Sequence, residues 1–166
     1  MYKDKGEHNI IPQVPLNTLL AKFNGFTEKE YKGKRDSTMK RFKLTKLPPY
    51  LIFYIKRFNK NWFYTEKNPT IVNFPIKNVD LSDCLEGYEE GMDATYNLVA
   101  NVVHDGDPNA GKGSYRVHIL HQGTKQWFEM QDLHVASILP QMITLSEAYI
   151  QIWALNKSKG VKKMET

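Results

Sequence analysis

GKGSYRVHILHQGTKQWFEMQD, residues 111–132, decides how the rest of the chain is read. Tyr115, Val117 and Ile119 alternate with Ser114, Arg116 and His118, and a period of two marks a half-buried β-strand. Residues 122–125 carry Gly123 among polar neighbours, so they turn the chain back into a second strand, Trp127 to Gln131. With Leu120 or His121 paired to Gln126 or Trp127, Gln131 falls opposite or nearly opposite Arg116. Ser114 is then its diagonal neighbour on one face, at the Cβ separation of about 7–8 Å usual for such diagonals. Two polar residues thus stand near each other at the open end of this hairpin.

Toward the N-terminus, Leu16, Leu19, Leu20 and Phe23 recur at helical spacing in PLNTLLAKF, and Asn24 and Gly25 stop the helix. Thr27 and Glu30 have capping-box spacing and predict a second short helix before the basic, polar KGKRDST. From Met39 the signals become β: RFKLTKL, then YLIFYIKRF after Pro48 and Pro49, NWFYTE, TIVNF and YNLVANVVH, which leads into the hairpin. EGYEEGMD, residues 86–93, is acidic and aperiodic and reads as a surface loop, while AYIQIW predicts a closing strand. The chain divides into a leader, 1–12, a domain, 13–154, and a polar basic tail, 155–166, expected to be disordered. One helix followed by short antiparallel strands is an α+β order. One helix covers only part of such a sheet, so the chain reads as half of a larger domain rather than a sheet closed on itself.

A chain of 166 residues, 41% hydrophobic, has the makeup of one ordinary soluble domain. Its single cysteine, Cys84, excludes an internal disulfide framework and suits a reducing, intracellular compartment. No apolar run approaches the roughly 20 residues that span a bilayer, so no membrane partner is expected, and MYKDKGEHN lacks a signal-peptide core. The net charge of +5 raises the question of nucleic acid, but Lys and Arg scatter along the sequence except in the tail KSKGVKK. Most of them read as solvated surface, and only the tail is a candidate for RNA contact.

Several runs, in order, resemble the sequence boxes of the ubiquitin-specific proteases. LPPYLIFYIKRF is similar to a box in which Leu-Pro leads a buried strand ending Lys-Arg-Phe, and TIVNFPIKNVDLSDCL to the next, where Phe-Pro precedes an Asp-Leu segment. YNLVANVVHDG with GKGSYRVHIL resembles the strands carrying the family histidine, QWFEMQDLHV the strand carrying its Asp or Asn, and SEAYIQIW the closing strand. The resemblance runs from about Leu16 to Trp153 and implies the C-terminal, sheet-rich half of a papain-like domain, an antiparallel sheet with one main helix near the N-terminus. The nucleophilic cysteine of such a domain belongs to the other half. IIPQVPLNTLLAKFNG, EKNPTIVNFPI and ILPQMITLSEAYIQIW resemble a catalytically inactive branch that serves in assembly of the spliceosomal tri-snRNP. That likeness implies a nuclear scaffold with spliceosomal partners. An active deubiquitinase and a non-catalytic ubiquitin-binding module are the alternatives.

Against the family pattern, Gly-His-Tyr becomes Gly113-Ser114-Tyr115, and the orienting Asp or Asn becomes Gln131, with Asp132 retained after it. A hydroxyl does not take a thiol proton near neutral pH as an imidazole does, and losing the proton carrier removes about 10²–10⁴ of rate. No catalytic residue is therefore assigned, and Ser114, Gln131 and Asp132 are degenerate positions. His118 lies four residues from Ser114, about 13–14 Å at strand rise, and is out of reach. His104 is the one rival base; with Val103 opposite Ser114 it faces the other side of the sheet. His8, His121 and His134 read as surface histidines, and Cys84 as a buried or partly buried thiol. Family members often hold zinc with CxxC pairs, one near YKGKRDST; no cysteine stands there, and neither metal nor cofactor is expected. Trp62, Phe63 and Tyr64, at a strand connection, are candidates for partner binding, weighed against inward-packed aromatics.

Overall fold

In a computed structural model describing residues 11–157 except 34, 35, 110 and 111, the hydrophobic runs form a large sheet and three two-stranded ribbons among the described residues. The elements are β1 (Gln13–Pro15), α1 (Leu16–Leu20), β2 (Lys29–Lys32), β3 (Ser37–Lys40), β4 (Tyr50–Tyr54), β5 (Phe58–Lys60), β6 (Thr65–Lys67), β7 (Ile71–Asn73) and β8 (Val79–Asp80). They continue as β9 (Thr95–Gly106), β10 (Gly113–Leu120), β11 (Trp127–Gln131), β12 (His134–Ser137), α2 (Pro140–Ile143) and β13 (Ala148–Leu155). The large sheet is antiparallel in the order β12-β11-β10-β9-β13-β4, with β8 beside the start of β9. The ribbons are β2·β3, β5·β6 and a parallel pair, β1·β7. The leader through Ile10, the tail from Ser158 and His8 lie outside the described residues.

One face of the sheet is the core. Tyr96, Leu98, Trp127, Ala148 and Trp153 turn inward, where α1 adds Leu16 and Leu20 and the chain around β7 adds Val72 and Phe74. Trp153 is fully buried between the rings of Phe53 and Phe74, at centroid distances of 6.1 and 5.9 Å. Each ring of this size removes 150–250 Å² from water and dominates the local energetics. The β9·β13 ladder slips twice, with Val99 the extra residue on β9 and Tyr149 the extra residue on β13. These bulges change which alternate residues face inward, so Tyr96 and Leu98 are buried upstream but Asn101 and Val103 downstream.

The structure corrects several expectations. The stretch after Thr27 is not a helix: residues 29–32 form β2, paired with β3. Asn24 Oδ1 already accepts from the amides of Phe26 and Thr27 at 2.8 Å each, an Asx turn that competes with helix initiation. RFKLTKL is not a strand; β3 precedes it, and only Lys43 and Leu44 make isolated bridges. Of NWFYTE only Thr65 and Glu66 are in a strand, β6; residues 61–64 are the tip of the β5·β6 hairpin, closed by Asn61 N–H donating to the Tyr64 carbonyl at 2.9 Å. Leu155, assigned to the tail, is the last residue of β13. The β10–β11 turn lies where expected, with Lys125 in the left-handed conformation, φ 57°.

Candidate functional site

The β10·β11 ladder pairs Leu120 with Trp127 and ends at Val117 with Met130, one step short of an Arg116–Gln131 pair. Ser114 and Gln131 therefore stand as diagonal positions at the sheet's open end. Across β9, Ser114 pairs with Asp105, not Val103, and Tyr115 with His104. The register is two residues from the expected one, which leaves His104 on the face opposite Ser114 as expected. Asp132 occupies the left-handed region, φ 51°, in the two-residue turn between Gln131 and His134. Aspartate tolerates that conformation better than most residues, so turn geometry accounts for it.

Arg116, on the same strand as Ser114 and two residues along, is held from both neighbouring strands. Its Nε lies 2.6 Å from Asp105 Oδ2, and its Nη1 donates to Glu129 Oε2 at 2.7 Å. His118, fully buried, has Nε2 3.0 Å from the same Glu129 oxygen and Nδ1 3.1 Å from Asn101 Nδ2. Asn101 is a donor, so the consistent tautomer is Nε2–H donating to Glu129 and Nδ1 accepting from Asn101. Asn101 also donates to Ser146 Oγ at 3.0 Å, and that hydroxyl donates to the Ile143 carbonyl at 2.6 Å. Burial pushes His118 below the ordinary imidazole range, against the pull of Glu129, so the ring is neutral. Burial alone raises Glu129, but hydrogen bonds from His118 and Arg116 outweigh it and hold the carboxyl low. Sequence reading treated His118 only as a distant base; its role in this chain is signalled by Arg116, His118 and Glu129 sharing one face.

His104 faces the other side. Its ring packs edge-on against Phe58 and Tyr115, at 5.0 Å from each, and Nε2 lies 2.1 Å from where a Cβ on Gly113 would be. Glycine is thus required before Ser114 to make room for an imidazole beneath the sheet. Burial, then the Lys67 ammonium, push His104 below its usual range. Cys84 is buried with Sγ 3.5 Å from the Leu20 carbonyl, and burial, then Asp83 and Asp80, push its thiol upward. No thiolate–imidazole pair is assembled among the described residues. Groups of His, Cys, Asp and Glu suited to a metal ion are also absent among them, and no helix there is long and apolar enough to cross a membrane.

Two further features flank the site. Arg57, 1% exposed, donates Nε to the Ala148 carbonyl and Nη1 to the carbonyls of Asn68 and Thr70 at 2.9 and 2.8 Å. It ties β13 to the approach of β7. At the β5·β6 tip, Trp62 is 99% exposed, Phe63 96% and Tyr64 57%. Within the described residues these rings do not pack inward.

Compared with known proteins, residues 5–153 match the family model "Ubiquitin carboxyl-terminal hydrolase". The chain is 64% identical over 155 residues to ubiquitin carboxyl-terminal hydrolase 39 of Homo sapiens, covering 92% of this chain and 27% of that protein. It is 40% identical over 159 residues to "Probable mRNA-splicing protein ubp10" of Schizosaccharomyces pombe, covering 92% and 31%. It thus spans less than a third of the length of these relatives. Its fold matches the "Crystal structure of an essential yeast splicing factor" with a TM-score of 0.60 and 22% identity, over 94% of this chain and 33% of that one.

Proposed function

The chain belongs to the ubiquitin carboxyl-terminal hydrolase family, and from that premise we propose that it is a catalytically inactive member acting in the nucleus as a scaffold for spliceosomal tri-snRNP assembly. The observation that carries the inactive half of this reading is the placement of Ser114. A general base must lie within about 2.6–3.2 Å of the proton it takes in the reacting complex. At the family's base position stands a hydroxyl beside a paired Arg116, with His104 turned to the opposite face and His118 locked between Asn101 and Glu129. The splicing half is supported by the fission-yeast relative named for mRNA splicing and by the likeness to a yeast splicing factor.

In this reading residues 13–154 are part of a larger domain. The outer sheet face supports it: Tyr50, Ile52, Tyr54 and Tyr115 are all more than half exposed, an apolar row suited to being covered. Spliceosomal proteins are the partners, with Trp62, Phe63 and Tyr64 as a contact; ubiquitin is a further ligand to be tested. The experiment gives the complete protein ubiquitin-rhodamine and a ubiquitin vinyl probe, then recovers its partners from nuclear extract. The expected result is no turnover, no adduct and recovery of tri-snRNP proteins. Turnover that disappears in His104→Ala would instead make His104 the base and the protein an enzyme.

A further inference from the structure

The β2·β3 ribbon separates its charges by face. On one face Glu28 pairs with Arg41, and Glu30 accepts from Ser37 Oγ and lies 3.9 Å from Lys32 Nζ. Both glutamates are thereby engaged. The other face presents Lys29, Tyr31, Thr38 and Lys40, all exposed, and Lys29 stands directly opposite Lys40 in the ladder. Their ammoniums converge on one ring, 5.3 and 5.1 Å from the Tyr31 centroid, with Phe42 edge-on to that ring at 5.9 Å. Among the described residues neither lysine has a carboxylate partner. Like charges directly opposite in a ladder are destabilising, and cation–π contact offsets only about 0.5–1 kcal/mol each at exposed sites. The described residues between 28 and 43 hold five Lys or Arg against three Asp or Glu, an excess of positive charge on and beside this ribbon.

We infer that the Lys29–Lys40 face binds the phosphate backbone of single-stranded RNA, with Tyr31 as a stacking surface. The chemistry favours RNA over an acidic protein segment. Carboxylates are best met by guanidinium forks, and the ribbon's described arginine, Arg41, points to the other face and is held by Glu28. Ammonium point charges beside aromatic rings are instead the combination that tracks a single strand. This contact goes beyond the scaffold reading and stands independently of it.

The test is fluorescence anisotropy of labelled 12-nucleotide oligouridine with the complete protein, across about 50–200 mM salt. Lys29→Gln/Lys40→Gln is expected to weaken binding about tenfold or more at the low end and to flatten the log–log salt slope by about 1.4, near 0.7 per phosphate contact. Tyr31→Leu is expected to weaken it about fivefold with the slope unchanged. Lys112→Gln/Lys125→Gln, an equal charge loss outside the ribbon, is expected to bind as the parent does. The melting temperature of the ribbon double variant should match or exceed the parent's. If it falls, Lys40→Gln alone decides, through a slope change of about 0.7. Three results would overturn the inference: parental affinity and slope in the ribbon variant, loss of all binding when residues 158–166 are deleted, or equal competition by a polyglutamate peptide. The last would assign the face to an acidic protein.

Discussion

At the open end of the large sheet each charge faces its opposite, whereas on the β2·β3 ribbon two lysines face each other. Arg116 joins Asp105 to Glu129, and Glu129 also receives His118, in a row across three strands. The ribbon has acids available and keeps them on its far side. The first arrangement fixes strands to one another; the second leaves an electrostatic cost standing that a bound anion would remove. Location decides which is tolerated. Partly buried charge is costly to leave unpaired, while exposed lysines repel only weakly through water.

The comparison breaks first at Arg57, the most deeply buried charge. Arg57→Ala orphans three carbonyls and is expected to lower the unfolding free energy by about 3 kcal/mol or more, read by urea denaturation of the complete protein. A loss under about 1 kcal/mol would show that buried charge here is not structural. Next, Glu129→Ala leaves Arg116 and His118 without their shared acceptor and should cost about 2 kcal/mol. The same row sets the acid response. His118 has its pKa lowered by folding, so the unfolded chain binds its proton more readily; stability is full above the ordinary imidazole range of about 6.5 and falls as pH drops below it. His118→Gln should flatten that fall. Glu129, also lowered, adds a second loss as pH falls through the carboxylate range.

Gly113→Ala should cost about 1–3 kcal/mol, because its Cβ meets His104 Nε2 at 2.1 Å and the Asp107 carbonyl at 2.8 Å. Adding His104→Ala should recover part of that loss in thermal melts, and no recovery would place the strain in the backbone. The smallest stability effect belongs to the exposed rings: Trp62→Ala and Phe63→Ala should each shift stability by no more than about 0.5 kcal/mol. If the tip is a contact, either should weaken recovery of splicing partners by about 2 kcal/mol or more.

The hairpin was legible because alternation fixed its faces and a short polar segment fixed its register, which placed Ser114 and Gln131 as diagonal positions. The misreading of residues 29–40 has one cause. All eight strand residues of β2 and β3 are exposed, so no hydrophobic period announces them, and local Thr27–Glu30 spacing pointed to a helix instead. β1·β7 pairs segments about 60 residues apart, and α2 is one turn long; neither leaves a periodic signal. The Val99 bulge breaks the alternation of β9, which hid that Asn101 and His118 share the buried face. At the site, the identities of Ser114 and Gln131 could be read from the sequence, but the ion-paired row around Arg116 needed the third dimension.

The position of β13, between β9 and β4, sets an order in time. During synthesis β4 is made about a hundred residues before the strand it pairs with, and Arg57 waits for a carbonyl 91 residues later. Until β13 emerges, β9 has one open edge and β4 has no neighbour in the sheet. Pairings this distant in sequence form slowly, and the hydrophobic edge is exposed meanwhile. The inward wall of the sheet is therefore completed last, when Trp153 arrives between Phe53 and Phe74. A chain lacking β13 would leave the sheet's centre unfilled, the species a chaperone would meet.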